Sequence, residues 1–242
     1  MFCFIAIDLS IFAFLKDYIL AYILNIETAT KNCSVSISKE GKTIVLKELN
    51  SGEYSHAEKL HEFIKQVVDE AGIELAELKA VAVSKGPGSY TGLRIGVSAT
   101  KGLCFALDIP LIAIDTLQAL AFSISISEGF VIPLLDARRM EVYSSVFNSK
   151  NESLRNVEAE IITEDSFKEY LNNQKVYFVG DGVDKCKGII IHENAIFIDD
   201  KLPSANEMSI LSFEKFKNKN FEDVAYFEPY YLKEFIAIKP KK

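Results

Sequence analysis

The sequence predicts an α/β fold built twice, and two observations predict it. In the first half, short apolar strands and amphipathic helices follow one another in the order βββαβα with one further strand, the alternation expected of sheets covered by helices. In the second half the pattern starts again. The segment "VIPLLDARRMEVYSSVF" is an apolar strand ending in an acidic residue, then a tight polar turn, then a returning strand. It echoes "ILNIETATKNCSVSI", with Asp136 standing 109 residues after Glu27. Self-similarity of this kind marks a duplicated unit. The expected boundaries are an N-terminal lobe over 22–125 and a degenerate C-terminal lobe over 126–242, and 242 residues at 49% hydrophobic content suffice to give each lobe a core.

The elements follow in order. "YILNIET", "CSVSIS" and "KTIVLKEL", the last two separated by the Glu40-Gly41 turn, read as a three-stranded antiparallel meander. "SHAEKLHEFIKQVVDEAG" reads as a helix. Ser55 and Glu58 have capping-box spacing, Leu60, Phe63, Ile64, Val67, Val68 and Ala71 recur at helical intervals, and Gly72 stops it. "AVAVS" is a buried strand, and a glycine loop leads into a helix from about Thr91 to Leu107. After Pro110, "LIAID" is a strand, and Thr116 opens a short helix through Phe122. In the second half a helix near Glu164–Leu171, the strands "KVYFVG" and "AIFID", and a helix capped by Ser204 and Glu207 complete the second copy.

Residues 1–21, "MFCFIAIDLSIFAFLKDYILA", are apolar, but Asp8, Lys16 and Asp17 interrupt them well short of a membrane span, and neither a basic leading region nor a small-residue cleavage site is present. They are expected to be a non-native extension. UUG encodes leucine and also serves as a start codon, so translation from Leu20, read as Met, would begin "M-A-Y-I-L-N-I-E"; the intact mass of natively expressed protein tests this. A net charge of −7, with no basic block beyond the Lys239–Lys242 tail, argues against a free-standing nucleic-acid binder. Cys3, Cys33, Cys104 and Cys186 are widely scattered, so neither a zinc cage nor a disulfide framework is indicated, and a reducing cytoplasm fits best.

The glycine loop "SKGPGSYTGLRIG", Ser84 to Gly96, matches no standard phosphate or nucleophile motif. Five residues separate Gly86 from Gly92 where a P-loop has four, and Leu93-Arg94 replaces its Lys-Ser/Thr. Thr91 stands where a dinucleotide fingerprint needs its third glycine, and Ser89 lacks the glycines of a nucleophile elbow. Along the helix that follows, Leu93, Val97, Cys104 and Leu107 form an apolar stripe beside a small-residue stripe of Gly92, Gly96, Ala99 and Ala106. Mid-helix glycine costs about 1 kcal/mol relative to alanine, so close approach of a neighbour is expected. That neighbour is either the Ser55–Ala71 helix or another protein. Arg94 lies in the first turn, against the helix dipole, which calls for an anionic partner inside or outside the chain.

The runs "SKGPGSYTGLRIG", "ILNIETATKNCSVSIS" and "DARRMEVY" resemble the TsaB proteins of bacterial tRNA threonylcarbamoyladenosine synthesis, from about Tyr22 to "EPYYLKE" near the C-terminus. The resemblance implies a duplicated actin/Hsp70-like (RNase H-like) fold, two lobes each with a mixed β-sheet and flanking helices. It also implies a cytoplasmic, non-catalytic subunit that pairs with TsaD, which transfers threonylcarbamoyl to adenosine 37 of tRNAs reading ANN codons, with the ATPase TsaE as third member. tRNA would be met only through the complex, no cofactor would be intrinsic, and the complex interface stays open to ATP or ADP. The candidate docking face is Leu60, Phe63, Ile64 and Val67 with Gly92, Arg94, Gly96 and Ala99. On this reading Gly96→Leu abolishes partner binding without loss of fold, and self-pairing through the same face is an alternative when the partner is absent.

The residues agree with a non-catalytic role. Actin-like enzymes hold phosphate in hairpins of the type D-x-G-T/S, where glycine lets backbone N–H groups approach the anion. Here the hairpins are "ETAT", Glu27 to Thr30, and "DARR", Asp136 to Arg139, and neither has glycine. Hydroxyls of Thr28 and Thr30 remain as weak phosphate donors. The charged turn of Asp136, Arg138, Arg139 and Glu141 reads either as a self-paired hairpin or as a contact to a partner or tRNA. His56 and His61, five positions apart on a helix, diverge by roughly 140° and do not form a chelating pair; with His192 they are expected to be solvated or capping, and no metal is expected. A self-sufficient kinase or acyltransferase of the same fold would need the missing glycine-bearing phosphate hairpin, and a peptidase would need a metal or nucleophile constellation that no spacing here supplies.

Overall fold

The computed structural model describes residues 21–50 and 56–233. The expected N-terminal extension up to residue 20, Ser55 of the capping box and the basic Lys239–Lys242 tail lie outside them. Two five-stranded mixed sheets form the frame. The first holds β1 (Tyr22–Glu27), β2 (Cys33–Lys39), β3 (Lys42–Leu49), β4 (Leu78–Gly86) and β5 (Leu111–Asp115), in the order β3-β2-β1-β4-β5. The second holds β6 (Phe130–Asp136), β7 (Glu141–Asn148), β8 (Ser153–Ile161), β9 (Val176–Val179) and β10 (Ala195–Ile198), in the order β10-β9-β6-β7-β8. Counted within its own sheet, each order is 3-2-1-4-5. In each, strands one to three are antiparallel and strands four and five run parallel to the first. Identical order and polarity in both halves establish the duplicated actin-like architecture.

Helices α1 (His56–Ala71) and α2 (Tyr90–Leu107) cover one face of the first sheet. Their apolar stripes, Leu60, Ile64, Val67, Val97 and Cys104, close a core with Leu24, Ile26, Val35, Ile37, Val81 and Val83. The α1 stripe and its Gly72 stop agree with the sequence reading, Gly72 taking φ 66°. Helix α3 (Thr116–Phe122) crosses between the sheets, its Leu117, Leu120 and Ala121 packing with Val131, Leu135 and Val179.

The second half departs from the sequence reading in three places. Strand β8 was not read, because "SLRNVEAEI" is an edge strand exposed along most of its length and lacks a clear apolar face. The expected helix near Glu164–Leu171 contracts to one turn, α4 (Lys168–Leu171), and a further turn, α5 (Val183–Cys186), follows β9. The third difference is the largest. Helix α6 (Ala205–Lys217), counted above into the second copy, lies on the open face of the first sheet, where Met208, Leu211, Phe213 and Phe216 pack on Ile23, Ala80, Ala82, Ile112 and Ile114.

A polar seam fixes the register of α6. Asn25 of β1 bonds to the Ser209 and Ser212 hydroxyls (3.5 and 2.7 Å), and the Ser36 hydroxyl donates to the Ala205 carbonyl (2.9 Å). The chain then stays with the first lobe: Glu222 N donates to Leu111 O (2.9 Å) and Tyr230 N to Lys85 O (2.7 Å). In space, therefore, 205–230 belongs beside 22–125, and Lys233 reaches Glu141 of the second sheet. No helix among the described residues is long and apolar enough to cross a membrane.

Candidate functional site

The site that the duplication predicts lies at the β1–β2 and β6–β7 hairpins. Glu27 ends β1 and is fully buried. Its Oε1 accepts from Ala29 N (2.6 Å) and from the Ser84 hydroxyl at the end of β4 (2.8 Å), while Oε2 is enclosed with no hydrogen-bond partner. Burial pushes the carboxyl up to about 7, against the pull of its donors, and nearby Glu207 adds to the rise. Thr28 donates its hydroxyl to Gly92 O (2.8 Å), and Ser89 N donates to Ala29 O (2.6 Å), so the start of α2 is stitched to the turn. Thr30 Oγ1 accepts from Asn32 N (3.3 Å). Both threonines are buried, and the hydroxyls offered above as phosphate donors are engaged inside the protein.

The glycine loop explains this closure. Gly86 takes φ 113°, and Ser89 caps α2 by accepting from Gly92 N (3.3 Å). A Cβ on Gly92 would run into the Thr28 carbonyl oxygen, and one on Gly96 into the Thr28 hydroxyl. The close neighbour of Gly92 and Gly96 is therefore the β1–β2 turn, with His56 of α1 also against Gly92, while Ala106 further along the stripe is exposed. His56, expected to be solvated or capping, is buried. Its Nε2 lies 2.7 Å from Thr30 O; since a carbonyl only accepts, Nε2 carries the proton, and burial holds the ring below its ordinary pKa. His61, on the opposite face, is exposed.

These contacts correct the candidate docking face. Leu60, Ile64 and Val67 are core residues, Phe63 and Ala99 pack against that core, and Gly92 and Gly96 face Thr28. Of the eight candidates only Arg94 is exposed, and its partner among the described residues is an aromatic ring: the guanidinium lies over the Tyr90 ring, 5.2 Å from its centroid, and reaches the Tyr90 hydroxyl at 3.3 Å. The sequence reading missed this because a helical stripe says which residues share a face but not whether a sheet already covers it. The outward residues of α2 include Arg94, Ser98 and Phe105, the last 84% exposed.

The second hairpin is open. Asp136 is exposed; its Oδ1 accepts from its own turn, Arg138 N (2.6 Å), and from Lys185 Nζ of α5 (2.6 Å), while its N–H donates to Asp181 Oδ1 (2.8 Å) in the "GDG" turn. Glu141 pairs with Lys233. Neither carboxylate pairs with an arginine, so the turn is not self-paired in the way its sequence suggested. Ser84, Asp181, Lys185 and Lys233 were not singled out from the sequence, because their roles depend on contacts 45 to 92 residues distant. A polar cavity of about 290 Å³ lies beside the first hairpin, lined by Asn32, Glu48, Asn50, Lys201 and Glu207 among others. Among the described residues no group of three or more His, Cys, Asp or Glu is placed to hold a metal ion.

Comparison with known proteins gives one family model and a set of named relatives. Residues 52–239 match the family model described as TsaD: tRNA N6-adenosine threonylcarbamoyltransferase. Relatives named tRNA threonylcarbamoyladenosine biosynthesis protein TsaB include that of Escherichia coli K12, 28% identical over 232 residues (90% of this chain, 96% of that one). That of Buchnera aphidicola subsp. Schizaphis graminum is 30% identical over 217 residues (85% and 98%). The Bacillus subtilis 168 protein is 32% identical over 135 residues, 56% of this chain and 58% of that protein. The solved structure of YeaZ from Pseudomonas aeruginosa has a TM-score of 0.75 at 25% identity, covering 88% of this chain and all of the other. The segment matched by the family model contains the open second hairpin, and with a relative 30% identical over 98% of its own length the chain belongs to the TsaB family.

Proposed function

We propose that this chain is the non-catalytic partner of TsaD in forming N6-threonylcarbamoyladenosine at adenosine 37 of tRNAs reading ANN codons, working in the cytoplasm with the ATPase TsaE. The observation that carries this reading is the closure of the first hairpin. Where an actin-like enzyme leaves glycine-lined space for phosphate, this chain fills the space with α2 and engages Thr28 and Thr30 internally. A self-sufficient kinase or acyltransferase would need that space open. Nucleotide in this reading is held by the assembly, at an interface, and tRNA is met through the complex.

The docking face passes to the outward residues of the same two helices: Arg94, Ser98 and Phe105 of α2 with His61 and Lys65 of α1. An 84%-exposed phenylalanine is an apolar anchor of the kind that interfaces bury. Size-exclusion chromatography with light scattering, on the chain alone and mixed with TsaD from the same cell, tests the reading. A new species in the mixture, with threonylcarbamoyl transfer only when TsaE is also present, is expected, and Phe105→Glu is expected to weaken that species at unchanged melting temperature. ATP turnover by the chain alone, or no complex, overturns it.

A further inference from the structure

The β6–β7 turn carries two arginines whose guanidinium groups make no hydrogen bond or ion pair among the described residues. Arg138 and Arg139 have φ of 68° and 54°, the left-handed region that costs free energy for any residue with a Cβ. Both side chains are exposed, and among the described residues neither makes a side-chain hydrogen bond or an ion pair. The carboxylates that sequence proximity would assign to them are taken from elsewhere: Lys185 of α5 holds Asp136, and Lys233 from the returning C-terminal segment holds Glu141. The turn thus keeps at its tip two positive charges that no described residue pairs, on a chain whose net charge is −7.

We propose that the tip of this hairpin, through Arg138 and Arg139, is a contact for the phosphodiester backbone of RNA. Guanidinium groups present a planar fork of donors that matches phosphate oxygens bidentately, which lysine does not. The partner is a nucleic-acid backbone in preference to an acidic protein surface because the tip offers two adjacent charges and little apolar surface. Among the described residues the exposed apolar side chains there are Met140 (45%), beside the arginines, and Ile161 (61%), paired across from Glu141, and Lys233 lies over the nearby Tyr143 ring. A protein interface needs a desolvated apolar centre, whereas a backbone contact needs none. Among the described residues the tip, 137–140, carries no aromatic side chain of its own, which makes the contact sequence-independent, a positioning grip. The strained backbone fits this role, since it aims two adjacent charges outward from a rigid ladder end. The inference rests on the family reading insofar as the RNA is the tRNA acted on by the assembly.

The test separates charge from fold. Arg138→Asn combined with Arg139→Gly removes both charges and places at the two positive-φ positions the residues best suited to them, so its melting temperature is expected to equal or exceed that of the unsubstituted chain. Fluorescence anisotropy of tRNA binding to the chain–TsaD assembly is measured at several salt concentrations between roughly 50 and 300 mM. The double variant is expected to assemble normally, to bind tRNA about tenfold or more weakly, and to lower the slope of log K against log salt by about 1.4–1.8, two phosphate contacts at about 0.7–0.9 each. Arg138→Lys with Arg139→Lys is expected to keep the slope and lose only a few-fold in affinity. Unchanged affinity and slope overturn the proposal, as does loss of TsaD binding in the double variant, which would assign the tip to a protein partner. Should the unsubstituted chain form no assembly, the functional reading fails on its own account. The same titration on this chain alone then decides the hairpin: a difference in slope between it and the double variant supports the contact, and equal slopes overturn it.

Discussion

The two hairpins occupy equivalent places in the two copies of one architecture, yet one is sealed and the other is open. At the first, α2 presses two glycines onto Thr28, and every hydroxyl of the turn is engaged inside the chain. At the second, no long helix follows β9; α5 spans only Val183–Cys186, and the turn is exposed and latched by ion pairs with Lys185 and Lys233. The difference teaches that what a duplicated hairpin does is set by the helix laid against it rather than by its own four residues. A long helix with small residues turns it into core, and a one-turn helix leaves it as surface.

The largest effect is expected from filling the sealed side. Gly96→Leu places a side chain where the Thr28 hydroxyl sits and severs the Thr28–Gly92 bond. A loss of about 4 kcal/mol or more is expected, read as a fall in melting temperature of roughly 8 °C or beyond, or as insoluble protein. This replaces the expectation from sequence that the same change would spare the fold and abolish docking. A variant that melts like the unsubstituted chain would show that the hairpin can yield.

Next in size is the pH response of Glu27. Its pKa in the folded protein is about 7, against an ordinary value of 4.5, because burial disfavours the charged form. Between those values the native state holds more protons than the unfolded state, so stability falls as pH rises from about 4.5 through 7 and levels off above. The cost at pH 8 is on the order of 3 kcal/mol. Glu27→Gln keeps an acceptor for Ala29 N and the Ser84 hydroxyl and puts an uncharged amide where Oε2 had no partner. Thermal melts at pH 5 and pH 8 are expected to show a smaller drop for the variant than for the unsubstituted chain, with the variant the more stable at pH 8. Parallel pH profiles would mean that water or a neighbouring group already neutralises the site.

The frame of the fold was legible in the sequence, and the site's interior was not. Strands β1, β2, β4, β5 and β6 carry apolar runs bounded by turn residues, so local pattern locates them. Strand β8 escapes because an edge strand satisfies only part of its surface in the core and its sequence shows no clear apolar face. Helix α6 was found, but not its address. "ANEMSILSFEKFK" interleaves serines with apolar residues because its buried face meets both Ile23 and the polar Asn25, and nothing local says which sheet owns them. Gly92 and Gly96 announced a close approach, and only the structure shows that the approaching group is Thr28.

A subtler probe of the sealed hairpin is Thr28→Val. It preserves the shape and removes the hydroxyl that donates to Gly92 O, leaving that buried carbonyl short of a donor. About 1–2 kcal/mol is expected, a fall of a few degrees in melting temperature. The outcome sharpens the comparison, because it isolates hydrogen bonding from the packing that Gly96→Leu disrupts.

The smallest effect is expected at the open hairpin, from Asp136→Asn. The amide oxygen still accepts from Arg138 N, so the turn keeps its internal bond, and only the ionic part of the contact with Lys185 is lost. Asp136 has 43% of its side chain exposed, and solvent screens such a pair; less than about 1 kcal/mol is expected, a shift of no more than roughly 2–4 °C. If Asp136→Asn instead costs as much as Thr28→Val, the open hairpin is as tightly determined as the sealed one, and the helix laid against a hairpin is not what sets its rigidity. If the cost is near zero, the lysine latch is dispensable for folding. Its remaining consequence is then to hold the Asp136 carboxylate away from the Arg138 and Arg139 side chains, which leaves the two guanidinium groups without an ion pair among the described residues.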